Sequence, residues 1–321
     1  QRKKETEIQS DRKTVRHKNK ITHNDSQRSK TSIKITVVYI LIISSTLSTQ
    51  TQAQNYDIQS AVFNTVIGGI AGGIGAIINK KENEKYKKVF IKNFLIGAFG
   101  GAVMYGGKKT TSLIGNKHEL GYAWLSRTMY NAGNSIVENA AANRKFGAIW
   151  HYDIGFIRLE YEMHSNIFHT KVMPTSFSGM IYLAGTGKFD LKKSLQTGTP
   201  IFYTPIINHD TLIAAITSTN GLLFRSAFYN PYLYENFGHE IIHTYQFQDF
   251  SAFNTYLFPV SEKWKIRSHA YKKISNWIYL DFNYEVMMFN YYILFGGNNG
   301  NKYYHNFLEN EAQTLSSNNR L

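Results

Sequence analysis

Residues 234–246 read Tyr-Glu-Asn-Phe-Gly-His-Glu-Ile-Ile-His-Thr-Tyr-Gln, and the HExxH pattern inside them organises the reading of the rest of the chain. Written as a helix, the segment places His239 and His243 four residues apart on one face, where two imidazoles converge on a single ion, with Glu240 beside them. The adjacent Ile241-Ile242 pair supplies an apolar face for a core, so the segment predicts a buried helix that follows a sheet.

The 321 residues contain no cysteine, which removes disulfide scaffolds, thiolate zinc sites, iron–sulfur clusters and cysteine nucleophiles from consideration. Any metal must sit on His, Asp and Glu. Zinc suits a pair of neutral imidazoles because it is redox-inert and keeps an open position for water. The expected chemistry is amide hydrolysis of a peptide or protein substrate: Glu240 takes a proton from zinc-bound water, and the hydroxide attacks a polarised carbonyl. A catalytic zinc takes a third protein ligand, and no extended HExxHxxGxxH follows His243, which points to a downstream carboxylate. Asp249, Glu262, Asp281, Glu285, Glu309 and Glu311 are the candidates, with Asp249 close in sequence for folding back.

Residues 303–313, YYHNFLENEAQ, form an amphipathic helical stretch. Together with GHEIIHTYQ, its ENEA segment resembles the gluzincin group of zinc metallopeptidases, in which a later helix supplies a glutamate within E-x-x-A. The resemblance covers residues 236–247 and 306–313. It implies His239 and His243 as metal ligands, Glu240 as general base and Glu309 as third ligand, with Glu311 and then Glu285 in reserve. Gln313 departs from the acidic residue that many members carry after the alanine. Tyr303, Tyr304 and His305 are the candidates for stabilising an oxyanion.

Upstream, residues 157–163 (IRLEYEM) alternate apolar and charged side chains, the period of a strand with an apolar face on a core and a charged face in water. Segments 179–184, 200–204, 212–219 and 222–228 are further strand candidates, the last two joined through Asn220-Gly221 as a tight turn. The fold class is therefore α+β: an antiparallel or mixed sheet, an active-site helix and C-terminal helices. Residues 126–142 predict a polar helix with an apolar stripe, and the aromatic run from Trp264 to Phe295 predicts core-packing helices. His151, His164 and His169 lie in or beside strands and read as hydrogen-bonded residues, not ligands.

Residues 58–78 (IQSAVFNTVIGGIAGGIGAII) carry no charge, and 89–105 are interrupted only by Lys92. Glycines four apart (Gly68 and Gly72, Gly69 and Gly73, Gly97 and Gly101) predict a helical hairpin with close backbone approach. Both a soluble packing and a membrane association through residues 58–105 suit it, and the lysine-rich loop at 79–88 sets its orientation on the latter reading. Lys34, the apolar run Ile35 to Leu47 and Thr51-Gln52-Ala53 have the layout of a signal peptide, implying export to the periplasm or cell envelope, with anchoring through the hairpin left open.

The formal charge is +14, but residues 1–34 hold 11 Lys/Arg against 4 Asp/Glu, and no recognition motif accompanies them. A nucleic-acid partner is not expected. The first methionine is Met104, so the basic stretch reads as an extension outside the native protein. The resulting organisation is 1–34 extension, 35–53 signal peptide, 54–110 glycine-rich hairpin and 111–321 zincin-like catalytic domain. The competing function is a non-catalytic envelope protein whose hairpin mediates membrane or helix–helix association.

Overall fold

The computed structural model describes residues 56–205, 215–225, 233–294 and 306–316. All of these fall in one contact unit, Gln50–Leu321, so the hairpin shares a body with the remainder. The basic extension, the signal-peptide segment and Tyr303, Tyr304 and His305 lie outside the described residues.

Helices α1 (Tyr56–Ile78) and α2 (Tyr86–Thr110) form the expected hairpin. Both are long and apolar enough to cross a membrane, and over half of the most apolar stretch of α1 is buried inside the chain. Their contact is backbone on backbone: a methyl placed on Gly68 would stand 2.5 Å from the Gly97 carbonyl oxygen. Helix α2 then meets α4 (Tyr122–Ala141), after the short α3 (Ser112–Lys117), in the same way, with a methyl on Gly107 only 2.6 Å from the Tyr130 backbone nitrogen. The predicted 126–142 helix is the buried α4.

Strands β1 (Ile149–Ile154), β2 (Ile157–Glu162) and β3 (Ile167–Val172) form an antiparallel meander. The alternation at 157–163 does mark a strand, but its faces are reversed. Arg158 and Glu160 are buried, at 1% and 5% exposure, while Ile157, Leu159 and Tyr161 are only half-buried. The reason is pairing. Arg158 donates to both carboxylate oxygens of Glu138 on α4 and, through Nε at 2.9 Å, to Glu160, while its guanidinium carbon lies 3.8 Å from the Tyr279 ring centroid. Charges so matched are tolerated inside. His151 joins this cluster with Nδ1 3.7 Å from Glu138 and 3.1 Å from the Ser135 hydroxyl, His169 lies in β3 and His164 in the turn before it.

Residues 179–184 are helical within α5 (Pro174–Thr186), not a strand. Pro174 opens the helix, and Met180 and Leu183, three apart, face Phe202 and Leu223. Next come β4 (Lys188–Phe189), α6 (Leu191–Thr197), β5 (Ile201–Thr204), β6 (Ala215–Ser218) and β7 (Gly221–Arg225). The second sheet has the order β4-β5-β7-β6 and is mixed, since β5 and β7 run parallel. The hairpin loop is Thr219-Asn220, one residue earlier than the sequence indicates, with Thr219 at φ +51°. Asn220 is drawn inward, donating to the Gly155 carbonyl at 2.9 Å and accepting from Gln248 at 2.7 Å. Gly221 sits in the strand because Met180 and Leu183 leave no room for a side chain.

The HExxH helix α7 spans Leu233–Gln248 and leads through a 3₁₀ turn, Ser251–Leu257, to α8 (Phe258–Arg267), α9 (His269–Ile274) and α10 (Asn283–Phe289). A π turn, Asn290–Leu294, follows, and α11 spans Phe307–Ser316. The aromatic run is core only in part: Tyr279, Tyr284, Met287 and Tyr291 are buried, whereas Trp264, Ile266 and Trp277 are exposed.

The glycine contacts yield a paired expectation. Gly68→Ala should lower stability by about 1–3 kcal/mol, because the obstructing atom is backbone and the helices must move apart. Gly106→Ala, where a methyl meets only Met129 Cε at 3.5 Å, should be neutral or stabilising by up to about 1 kcal/mol. Urea denaturation of the two variants checks both.

Candidate metal centre

Helix α7 is pinned on its apolar side. Phe237, Ile241 and Ile242 are fully buried, and the Phe237 ring lies 4.4 Å from that of Phe224 on β7, centroid to centroid. Helix α11 packs along it through Ala312 and Leu315 against Ile242. This contact fixes the register of α11, and the register brings Glu309 to the HExxH face.

There the three ligand candidates converge. His239 Nε2 and His243 Nε2 are 3.0 Å apart, and Glu309 Oε2 is 3.4 Å from each. A tetrahedral ion with bonds of about 2.0–2.2 Å holds its ligand atoms roughly 3.3 Å apart, so the triangle already has the size of a coordination site. Glu309 Oε2 has no hydrogen-bond partner among the described residues, although Glu309 is 8% exposed. An orphaned carboxylate oxygen facing two imidazole nitrogens is the arrangement that a cation completes. His239, His243 and Glu309 could hold a metal ion.

The tautomer of His243 follows from its neighbour. Gln246 Nε2 donates to the Leu308 carbonyl at 2.8 Å and to Glu311 Oε2 at 2.8 Å, both pure acceptors, so its amide oxygen must face the ring. That oxygen stands 2.7 Å from His243 Nδ1. Nδ1 therefore carries a hydrogen, and the Nε2 of the neutral ring directs a lone pair into the site. Glu309 is oriented in the same way, since the Tyr291 hydroxyl donates to its Oε1 at 2.7 Å and leaves Oε2 for the site.

Glu240 leans toward the sheet. The Thr217 hydroxyl on β6 is 2.7 Å from Glu240 Oε2, and Oε1 keeps no hydrogen bond among the described residues. The reserve ligands lie elsewhere. Glu285 is exposed on α10, and Glu311, fully buried, takes Asn64 Nδ2 at 2.8 Å, Lys108 Nζ at 3.0 Å and Gln246. Asp249 is engaged by Lys108 at 2.5 Å and by the Tyr130 hydroxyl at 2.9 Å. Asp281 caps α5 at the Thr175 and Ser176 nitrogens, and Glu262 pairs with Lys265.

Without metal the cluster retains a proton. Burial works against an imidazolium at His243, but the carboxylate of Glu309 outweighs it and lifts the ring to about 9. Burial likewise disfavours the Glu309 carboxylate, yet the two rings hold it well below the usual range. Behind the site, burial raises Asp249 to about 7 despite Lys108, because one lysine faces two carboxylates there.

Gln246, Tyr291 and Thr217 are absent from the sequence reading. Only Gln246 left a signal, lying three residues beyond His243 on the same helix face. No family model matches the chain, nor does any curated protein or solved structure.

Two outcomes follow. Gln246→Ala should weaken metal binding about 10–100-fold by releasing the His243 ring, measured by competition with a chromophoric chelator. Asp249, with a folded pKa above its unfolded value, contributes stability that is full below pH 4 and lost as pH rises towards 7. In metal-free protein, Asp249→Asn should therefore flatten the decline of stability between pH 4 and 7, by up to about 1.4 kcal/mol per pH unit, in urea melts run at each pH.

Proposed function

We propose that the chain is a zinc-dependent metallopeptidase of gluzincin type, with His239, His243 and Glu309 as ligands and Glu240 as general base. The observation that carries this reading is the convergence of two imidazole Nε2 atoms and an orphaned carboxylate oxygen on one point, next to a further carboxylate, Glu240, that is not part of the triangle. Two nitrogens and one oxygen favour zinc over the oxygen-seeking calcium or magnesium.

When bound, zinc supplies Lewis acidity towards a carbonyl oxygen and brings the pKa of water towards neutrality. The protein's own part is positional. Gln246 and Tyr291 hold two of the ligands before metal arrives, and Thr217 holds Glu240 Oε2 and leaves Oε1 free to accept a proton. Glu240 Oε1 takes the proton of the attacking water and passes it to the departing amide nitrogen. Among the described residues no strand pairs with the outer edge of β6, beside Glu240, and an extended peptide suits such an edge.

Export to the cell envelope remains part of the proposal through the signal-like segment, and Ile91, Leu95 and Phe99, exposed along one side of α2, offer an apolar stripe for a membrane surface. The competing reading, an association hairpin with an incidental HExxH, is weakened by the use of Gly68, Gly97 and Gly101 within the chain.

Protein purified without chelators should carry about one zinc per chain by elemental analysis. Glu240→Gln should keep the metal and lose at least about a hundredfold in peptide hydrolysis. His239→Ala should lose both. Wild-type protein that stays zinc-free and rejects added zinc would defeat the proposal.

A further inference from the structure

A second cavity, of about 220 Å³, shares no lining residue with the metal centre. It lies between the β1–β3 meander and helices α8 and α9. Leu257, Phe258, Ile274 and Ile278 supply its apolar lining, Leu257 and Ile274 at the solvent-exposed rim, and the ion-paired cluster around Arg158 lines it as well. Three carboxylates and four cations line it. Arg158 is taken by Glu138 and Glu160, Lys171 by Glu160 at 2.6 Å, and Lys265 by Glu262 at 2.8 Å.

Arg144 is the remaining cation. Its guanidinium carbon lies 5.0 Å from the Phe258 ring centroid, a stacking contact that leaves the N–H donors unused, and it makes no hydrogen bond or ion pair through its side chain among the described residues. Burial pulls it below the usual guanidinium range even though Glu138 and Glu160 act in the opposite sense. An arginine with its fork open, beside an apolar wall and with every other cation of the lining already paired, matches a planar carboxylate. The volume exceeds the roughly 150 Å³ that admits benzene, so it has room for one ring or a short chain beside the charged end.

We infer that this cavity binds a small organic monocarboxylate, with its carboxylate on Arg144 and its aromatic or aliphatic body among Leu257, Phe258, Ile274 and Ile278. The site is independent of the metal-centre proposal, and its ligand needs no zinc.

Isothermal titration of the full chain with phenylacetate tests it. Wild type and His239→Ala, in which the metal centre cannot capture the carboxylate, should bind with the same dissociation constant. Phenylacetamide, of the same shape without the charge, should bind at least about tenfold more weakly, the equivalent of one charge-assisted contact. Arg144→Gln should lose affinity for phenylacetate by a similar factor, and Arg144→Lys should keep part of it. Equal affinity of acid and amide for wild type, no binding at millimolar phenylacetate, or binding that disappears in His239→Ala would each overturn the inference. The acid–amide comparison uses wild-type protein and decides the matter even where Arg144→Gln fails to fold.

Discussion

Lys108 has no contact with water, and its ammonium lies between Asp249 and Glu311, at 2.5 and 3.0 Å. A buried lysine is tolerated only when such partners replace its hydration, and here they come from α7's end and α11, while Asn64 of α1 and Tyr130 of α4 bind the same two carboxylates. Five helices thus meet at one cation. Burial disfavours its charge, but the paired carboxylates hold its pKa above the usual lysine range. Burial raises the Asp249 carboxyl, and the second carboxylate, Glu311, adds to that rise against the pull of Lys108.

The metal centre is built on that junction. Glu311, anchored by Lys108 and Asn64, aims Gln246, which sets the tautomer of His243. Glu309 lies two residues earlier on the same helix and points the other way, into the site. One short helix therefore supplies both a candidate ligand and the anchor for the orientation of the candidate ligand opposite. Asn64 in the glycine-rich hairpin reaches the HExxH helix through two hydrogen-bonded steps, by way of Glu311 to Gln246, so the hairpin is structurally continuous with the candidate site.

Periodicity made the main elements legible: the hairpin from its uncharged runs, β2 from its alternation, and the pairing of His239 with His243 from a four-residue spacing. Glu309 was singled out only by the resemblance of ENEA to the gluzincin E-x-x-A, since spacing alone left six downstream carboxylates open. Alternation could not say which face of β2 points inward, because that depends on Glu138, twenty residues earlier on another element. Thr217 and Tyr291 were invisible for a similar reason, as each meets its partner across separate elements. Residues 179–184 misled because a short apolar run fits either period, and the packing of Met180 and Leu183 decided for helix. Strand β1 could be placed only loosely, around His151, because its inward residues, His151 and Asp153, are polar.

The junction at Lys108 also has a temporal side. Asn64 and Glu311 are 247 residues apart in sequence, and Lys108 and Glu311 are 203 apart. As the chain emerges from its N-terminal side, the hairpin can close early through its glycines. Its buried lysine and asparagine, however, wait for residues 307–316, and the same ten residues bring Glu309. Completion of the interior and completion of the metal centre are one event, so a nascent chain carries an exposed cation and an unfinished ligand set until that helix docks. Assembly of the three-residue cluster is thereby tied to the finished fold by topology alone.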